Sequence, residues 1–322
     1  MVVGMMRSKG VNRLVILLAI LYVSLQGAQK KIVICYASGI GQGHHSAAYA
    51  IAAQFAQLGI EQQVVLKDFC AAKPLLNAVL QEHLYMYLPK EHPDLYYLTY
   101  LLTDTTVYPL VQMALMNVFH ADFIESVVKE DPAIIVATQA FAAGSIARAK
   151  LEGKLKAQLI TVITDIYPHY SWIFPATDYY WVMDKESKKY LERKGVAHKK
   201  IIVGGIPVSP TFVPQNNGPE LRFQLGLPPD RLTLLLVNGG WGIGTFKEIL
   251  KHLEPLAERI SCCVVCGHNA DAKQELERGN YKFPLRIFGF TNQMPALMAA
   301  CDILIGKPGG VTMSIGFKLA VA

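Results

Sequence analysis

The stretch 32–53 reads Ile-Val-Ile-Cys-Tyr-Ala-Ser-Gly-Ile-Gly-Gln-Gly-His-His-Ser-Ala-Ala-Tyr-Ala-Ile-Ala-Ala, and it constrains the fold more than any other. Its first five residues have the length and β-branched content of a buried parallel strand. A turn containing Gly39, Gly41 and Gly43 follows, then an Ala-rich helix expected from about Ser46, whose small side chains allow close packing on a sheet. Strand, tight turn and helix form the first unit of a doubly wound α/β fold, in which ligands sit where strands end. The turn carries His44 and His45. A helix N-terminus suits an anion or developing negative charge, and an imidazole there adds a group that titrates near neutral pH. The glycine spacing does not match the dinucleotide fingerprint, so a purely structural turn is the competing reading.

With 322 residues and 52% hydrophobic content, the chain can bury two cores. Only 17% of residues are charged and mean hydropathy is +0.27, a greasy balance that suits work at a membrane surface. A net charge of +6 favours anionic lipid or phosphate ligands and is no nucleic-acid signature. Cys35, Cys70, Cys262, Cys263, Cys266 and Cys301 lie in apolar segments. The single C-x-x-C has no second pair at zinc spacing, so buried reduced thiols are expected and no metal is. At the N-terminus Arg7, Lys9 and Arg13 flank an apolar run, 14–25, that reaches only ~18 Å as a helix, short of a bilayer core of ~30 Å. Residues 1–29 read as a signal-like or membrane-contacting leader, with retention on the cytoplasmic face preferred over secretion.

Strands are expected at 62–66, 133–137, 158–163, 179–183 and 201–203, alternating with helices at 142–151 and 185–200, the latter strongly basic. The segment 74–124 breaks this rhythm with Tyr85, Tyr87, Tyr96, Tyr97, Tyr100 and Tyr108 among Leu, Met and Pro. It reads either as a helical core hairpin or as an amphipathic lid dipping into a bilayer. Asp165, His169 and Trp172 follow the strand at 158–163, on the ligand-binding edge. Four prolines mark 204–219 as a linker. Beyond it the pattern repeats: strands at 232–237, 262–266, 285–288 and 302–305, the first followed by Gly239, Gly240, Gly242 and Gly244, with helices from about Thr245 and near 294–300. The expected domains are 30–203 and 220–322, facing each other across a cleft.

Together these pieces resemble the monogalactosyldiacylglycerol synthase and processive diacylglycerol glucosyltransferase group of glycosyltransferase family 28. The resemblance runs from about Lys31 to Ser314. It rests on Gly41-x-Gly43-His44-x-x-Ala47-Ala48, on Thr164-Asp165 with His169 and Trp172, and on Gly204-Gly205-Ile206-Pro207-Val208. In the second half it rests on Gly239-Gly240-x-Gly242-x-Gly244, Cys266-Gly267-x-Asn269, Gly289-Phe290 and Lys307-Pro308-Gly309-Gly310-x-Thr312.

The resemblance implies a GT-B architecture of two Rossmann-like domains, an acceptor and lipid domain followed by a UDP-sugar domain. It implies inverting transfer of galactose or glucose from UDP-galactose or UDP-glucose to diacylglycerol, with no metal or other cofactor. His44 takes the motif position and so the role of base, with His45 as its neighbour. Asp165 and His169 orient sugar or acceptor, or brace their loop. Donor contacts are implied for Gly239, Gly240, Gly242, Gly244, Gly267, Asn269, Phe290, Pro308, Gly309, Gly310 and Thr312. Acceptor or membrane contacts are expected from Gly41, Gly43, Tyr85, Tyr96 and Trp172, with anionic membrane lipids as partners and no nucleic acid. In the family a Ser/Ala-Glu-Ala helix follows Pro-Gly-Gly-x-Thr, its glutamate holding the ribose. Here Ser314 is followed by Ile315-Gly316-Phe317-Lys318, which implies a C-terminal truncation on the order of 60 residues at ~30 residues per β-α unit. The alternatives are a related lipid-linked, polyprenyl-type sugar transferase and an inactive, lipid-binding fragment.

Overall fold

The computed structural model describes residues 31–38, 41–80, 87–105, 108–215 and 217–319, so the leader, Gly39 and Tyr85 lie outside the described residues. The chain divides into two compact units, Met1–Pro210 and Thr211–Ala322, at a point inside the proline-rich stretch expected as linker.

In the first unit six parallel strands form one sheet: β1 (Lys31–Tyr36), β2 (Val64–Asp68), β3 (Pro132–Ala137), β4 (Gln158–Val162), β5 (Tyr179–Val182) and β6 (Ile201–Val203), in the order β2-β1-β3-β4-β5-β6. Side chains alternate across a strand, and β1 shows why both of its faces are apolar. Ile32 and Ile34 pack with Ala48, Ile51 and Phe55 of α1 (Gln42–Gln57). Val33 and Cys35 pack on the opposite side with α5 (Tyr108–Val128) and α6 (Ala140–Leu151).

Helix α1 begins at Gln42, four residues before the expected Ser46, because Gly41 takes a left-handed φ of 78° as its N-cap. His44 and His45 therefore lie inside the first turn of the helix, not in the preceding loop. The basic helix expected over 185–200 is shorter: α7 (Lys185–Arg193) is capped by the Asp184 carboxylate on Ser187 N–H and ends before Gly195, whose φ is 93°.

The aromatic segment is part core and part exposed. Helices α2 (Pro74–Leu80), α3 (Leu88–Glu91) and α4 (Pro93–Leu102) precede α5. The α5 residues Met116, Phe119, Phe123, Ile124 and Val127 are core. By contrast α4 exposes Leu95, Tyr97, Leu98, Leu101 and Leu102.

The second unit carries β7 (Leu232–Val237), β8 (Ile260–Val265), β9 (Leu285–Phe288) and β10 (Ile303–Gly306), all parallel, in the order β10-β7-β8-β9. Its helices are α8 (Gly218–Gln224), α9 (Phe246–Leu253), α10 (Ala270–Glu277), α11 (Met294–Ala300) and α12 (Gly310–Leu319). Leu234, Leu236, Cys262 and Val264 pack with Phe246, Leu250 and Leu276 to make its core. All six cysteines are free and buried, and burial pushes the Cys266 thiol up to about 11 and Cys262 to about 12, which makes them poor nucleophiles.

Candidate active site

In the first sheet the order reverses between β1 and β3, the crevice where ligands of such sheets bind. His44 stands there, in the first turn of α1. Its Nδ1 lies 3.0 Å from the Thr138 carbonyl, just past β3, and 2.6 Å from Thr164 Oγ1, just past β4. A carbonyl only accepts, so Nδ1 carries the proton and Nε2 is left with its lone pair. Thr138 completes the clamp, its hydroxyl donating to the His44 carbonyl at 2.8 Å. Burial lowers the His44 pKa below the ordinary imidazole value, the Asp165 carboxylate and the Thr138 hydrogen bond opposing it only in part. The imidazole is thus neutral at pH 7, with Nε2 able to take a proton. Gly41 is required by its φ of 78°, and a Cβ on it would sit in ordinary contact with the ring edge, 3.8 Å from Nε2.

The loop after β4 brings three more expected residues together. Asp165 Oδ2 accepts from Trp172 Nε1 at 2.7 Å and from His169 Nε2 at 3.2 Å. A carboxylate only accepts, so in the neutral His169 ring the proton sits on Nε2, and Nδ1 accepts from Ser171 Oγ at 2.5 Å. Burial raises the Asp165 carboxyl, but the His169 hydrogen bond, the neighbouring imidazoles and Trp172 outweigh it and hold the pKa below the usual carboxylate range. The Trp172 ring lies 5.9 Å from that of His44 and 6.3 Å from that of His169. Tyr96 of α4 also feels this carboxylate: burial first, then Asp165, raises its phenol. His45 points into a separate cluster, 4.3 Å from the Tyr49 ring and 5.1 Å from Tyr36. Gly43 lies within α1.

In the second sheet the order reverses between β7 and β10. The turn after β7 and the turn after β8 pack backbone against backbone. Gly242 (φ 56°) could not carry a Cβ without meeting Cys266 O at 1.9 Å, and a Cβ on Gly267 (φ 57°) would meet Gly240 O at 2.2 Å. His268 N–H donates to Gly240 O, and Asn269 Nδ2 to Gly242 O. Asn269 also caps α10 through Ala272 N–H. Gly244 lies against Asn238 and Gly239 against the Lys307 side chain. Phe290 is exposed and stacks on His268 at 4.3 Å, and His268 meets Trp241 at 5.0 Å, an aromatic ladder beside the glycines. Pro308 and Gly309 lead into α12, with Gly310 and Thr312 in its first turn, so amides and the positive helix end face the switch point. Burial lowers the Lys307 ammonium below the usual lysine range. Among the described residues no three His, Cys, Asp or Glu side chains gather as a metal site would need.

Residue-level reading missed Thr138 and Thr164 as the holders of His44, and Trp241, His268 and Lys307 in the second unit. Thr164 and Lys307 stood within the motif pieces, but nothing local marks them as contacts of residues far along the chain.

The profile of the family described as "Monogalactosyldiacylglycerol (MGDG) synthase" matches residues 44–208, just over half of the chain. A processive diacylglycerol beta-glucosyltransferase of Staphylococcus epidermidis is 24% identical over 300 residues, covering 91% of this chain and 74% of that protein. Monogalactosyldiacylglycerol synthase 1, chloroplastic, of Arabidopsis thaliana is 28% identical over 303 residues; the match takes in 90% of this chain and 57% of the plant protein. Among solved structures, MurG of Acinetobacter baumannii aligns with a TM-score of 0.50 and 14% identity over 89% of this chain and 74% of that one. A UDP-GlcNAc 2-epimerase of Neisseria meningitidis aligns at 0.51 and 12%, over 88% and 79%. The fold is therefore the two-unit α/β class expected, GT-B. A transferase-like site must be argued from side chains, since an epimerase shares the scaffold.

Proposed function

The chain belongs to the monogalactosyldiacylglycerol synthase family, and on that premise we propose that it transfers galactose or glucose from a UDP-sugar to diacylglycerol, with inversion, at a membrane surface. The observation that carries this reading is the fixed tautomer of His44. A primary alcohol is a weak nucleophile and needs a base in hydrogen-bond reach that is neutral near pH 7. In this reading the acceptor hydroxyl gives its proton to His44 Nε2 as its oxygen bonds to the anomeric carbon. The bond from that carbon to the diphosphate oxygen breaks on the opposite face, and UDP leaves with the electron pair. Asp165 stabilises the imidazolium that forms, and His169 and Trp172 hold Asp165 in place.

The leaving diphosphate gains negative charge, and the second unit offers what that charge needs. Backbone amides at Gly239 and Gly240, the N-terminus of α12 and the Lys307 ammonium all carry positive character. No metal is part of this mechanism. The ladder of Trp241, His268 and Phe290 gives a flat apolar face for the uracil ring.

Among the described residues no helix is long and apolar enough to cross a membrane. Contact with lipid in this reading is made by α4, whose half-exposed Leu95, Leu98, Leu101 and Leu102 each gain on the order of 1 kcal/mol when fully buried, with Tyr97 beside them. The basic residues of α7, Lys185, Lys188, Lys189 and Arg193, add attraction to anionic headgroups. Nucleotide sugars are cytosolic, so the cytoplasmic face is the expected location.

The deciding experiment offers the chain UDP-galactose or UDP-glucose with diacylglycerol or polyprenyl-phosphate acceptors in vesicles. Labelled β-glycosyl-diacylglycerol from one donor is the expected product. Transfer only to the polyprenyl acceptor, or sugar release with no lipid product, would overturn the reading.

A further inference from the structure

The exposed apolar helix α4 is wired to the loop that holds Asp165 and His169. Just past α4, the Thr103 carbonyl accepts from Ser171 N–H at 3.1 Å. The next residue, Asp104, accepts from Tyr170 N–H at 3.0 Å through Oδ1. The same oxygen accepts from the Tyr190 hydroxyl and pairs with Lys194 Nζ at 3.3 Å, both in the α7 region. From the start of α5, Gln112 Nε2 donates to the Ser171 carbonyl at 3.2 Å. Tyr170 and Ser171 are thus gripped by the connector that joins the exposed helix to the core helix.

That grip has a chemical consequence. Asp165 fixes the His169 proton on Nε2, and Ser171 Oγ, 2.5 Å from Nδ1, holds the ring in the orientation from which that Nε2–H reaches the carboxylate. A displacement of α4 is carried through residues 103 and 104 to the 170–171 turn, to His169, and so to the carboxylate nearest His44. We propose that Asp104 is a positioning residue that couples seating of α4 in lipid to the geometry of the Asp165–His169 pair. The proposal rests on the reading above that α4 meets lipid. Asp104 suits the task because one carboxylate oxygen ties three separate pieces of chain, and charge-assisted bonds of this kind are about twice as strong as neutral ones. Its carboxylate is ionised at neutral pH: partial burial alone would raise its pKa, but the Tyr190 and Lys194 bonds hold it below the usual range.

The test is amide hydrogen exchange on the full chain, with and without phosphatidylcholine vesicles doped with diacylglycerol. In the wild type, vesicles should slow exchange on the order of tenfold both in 93–102 and in 166–173. In Asp104→Ala the slowing in 93–102 should persist while that in 166–173 falls to less than about twofold. Asp104→Asn, which keeps an oxygen acceptor for Tyr170 N–H but loses the charge on Lys194, should restore part of it, to about threefold slowing; a residue that acts only through general stability would not be rescued in this selective way. Should Asp104→Ala not fold, Tyr190→Phe serves in its place, with an expected loss of about threefold of the slowing in 166–173. Full slowing of 166–173 in the folded Ala variant, or in Tyr190→Phe, overturns the coupling. No slowing of 93–102 in the wild type defeats the lipid reading itself, a distinct result.

Discussion

Thr164→Ala isolates the hydrogen bond that helps to set the His44 tautomer. The substitution removes the hydroxyl 2.6 Å from Nδ1 but leaves the Thr138 carbonyl at 3.0 Å. Because that carbonyl still requires a proton on Nδ1, the tautomer survives and Nε2 stays basic. The loss is then one intramolecular hydrogen bond, a net of about 0.5–1.5 kcal/mol. At 1.4 kcal/mol per tenfold, kcat/KM for lipid glycosylation should fall about two- to twelvefold. Thr164→Ser, which keeps the hydroxyl, should stay within about twofold of the wild type. The assay is initial-rate transfer of labelled sugar to diacylglycerol vesicles, with 15N chemical shifts of the His44 ring as a direct report on protonation. A loss as deep as that caused by removing the imidazole would refute the reasoning, since it would mean that Thr138 alone does not hold the tautomer. An unchanged rate would show that the Thr164 contact carries no energy.

The remaining expectations concern pH, the donor turns and the lipid face. Burial lowers the His44 pKa, so the acid limb of the kcat/KM profile should lie below the ordinary imidazole value of 6.5. Asp165→Asn removes a charge that raises this pKa, so the limb should move to still lower pH as the maximal rate drops; a shift to higher pH contradicts the assignment. Gly267→Ala places a Cβ 2.2 Å from Gly240 O at a left-handed φ of 57°. Conformational strain of about 1–2 kcal/mol plus a forced backbone shift of about 1–3 kcal/mol should lower the melting temperature of the second unit by on the order of 10 °C and weaken UDP binding in calorimetry. Leu98→Asp alters an exposed position of α4 and should leave unfolding within about 0.5 kcal/mol of the wild type. Its co-sedimentation with vesicles should fall about tenfold.

The fold was legible where strands are continuous apolar runs, as at β1, β3 and β8, because burial on both faces leaves no other composition available. Element ends were less so. Ser46 offers a capping side chain, yet Gly41 begins α1, since its left-handed backbone turns the chain four residues earlier. The segment 74–124 could not be divided from composition, because α4 and α5 both draw on Leu and Tyr with few charges. Only the tertiary structure decides that Phe119 and Phe123 are core and Tyr97 and Leu98 are exposed. At the site, His44 and the Asp165–His169–Trp172 cluster stood out as polar residues at strand ends. The groups that tune them did not, because Thr164 and His44 are 120 residues apart and Asp104 and Tyr170 are 66 apart. The first pair is set by sheet order, which brings β1, β3 and β4 side by side, and the second by the segment after α4 meeting the loop after β4.

The central claim is that one imidazole takes the proton of the lipid alcohol while a separate unit holds the nucleotide. His44→Ala measured in two ways tests it most directly. Transfer to diacylglycerol should fall by about 10²–10⁴, while UDP binding by calorimetry stays within about twofold of the wild type. Near-normal turnover, or loss of UDP binding in step with activity, would contradict it.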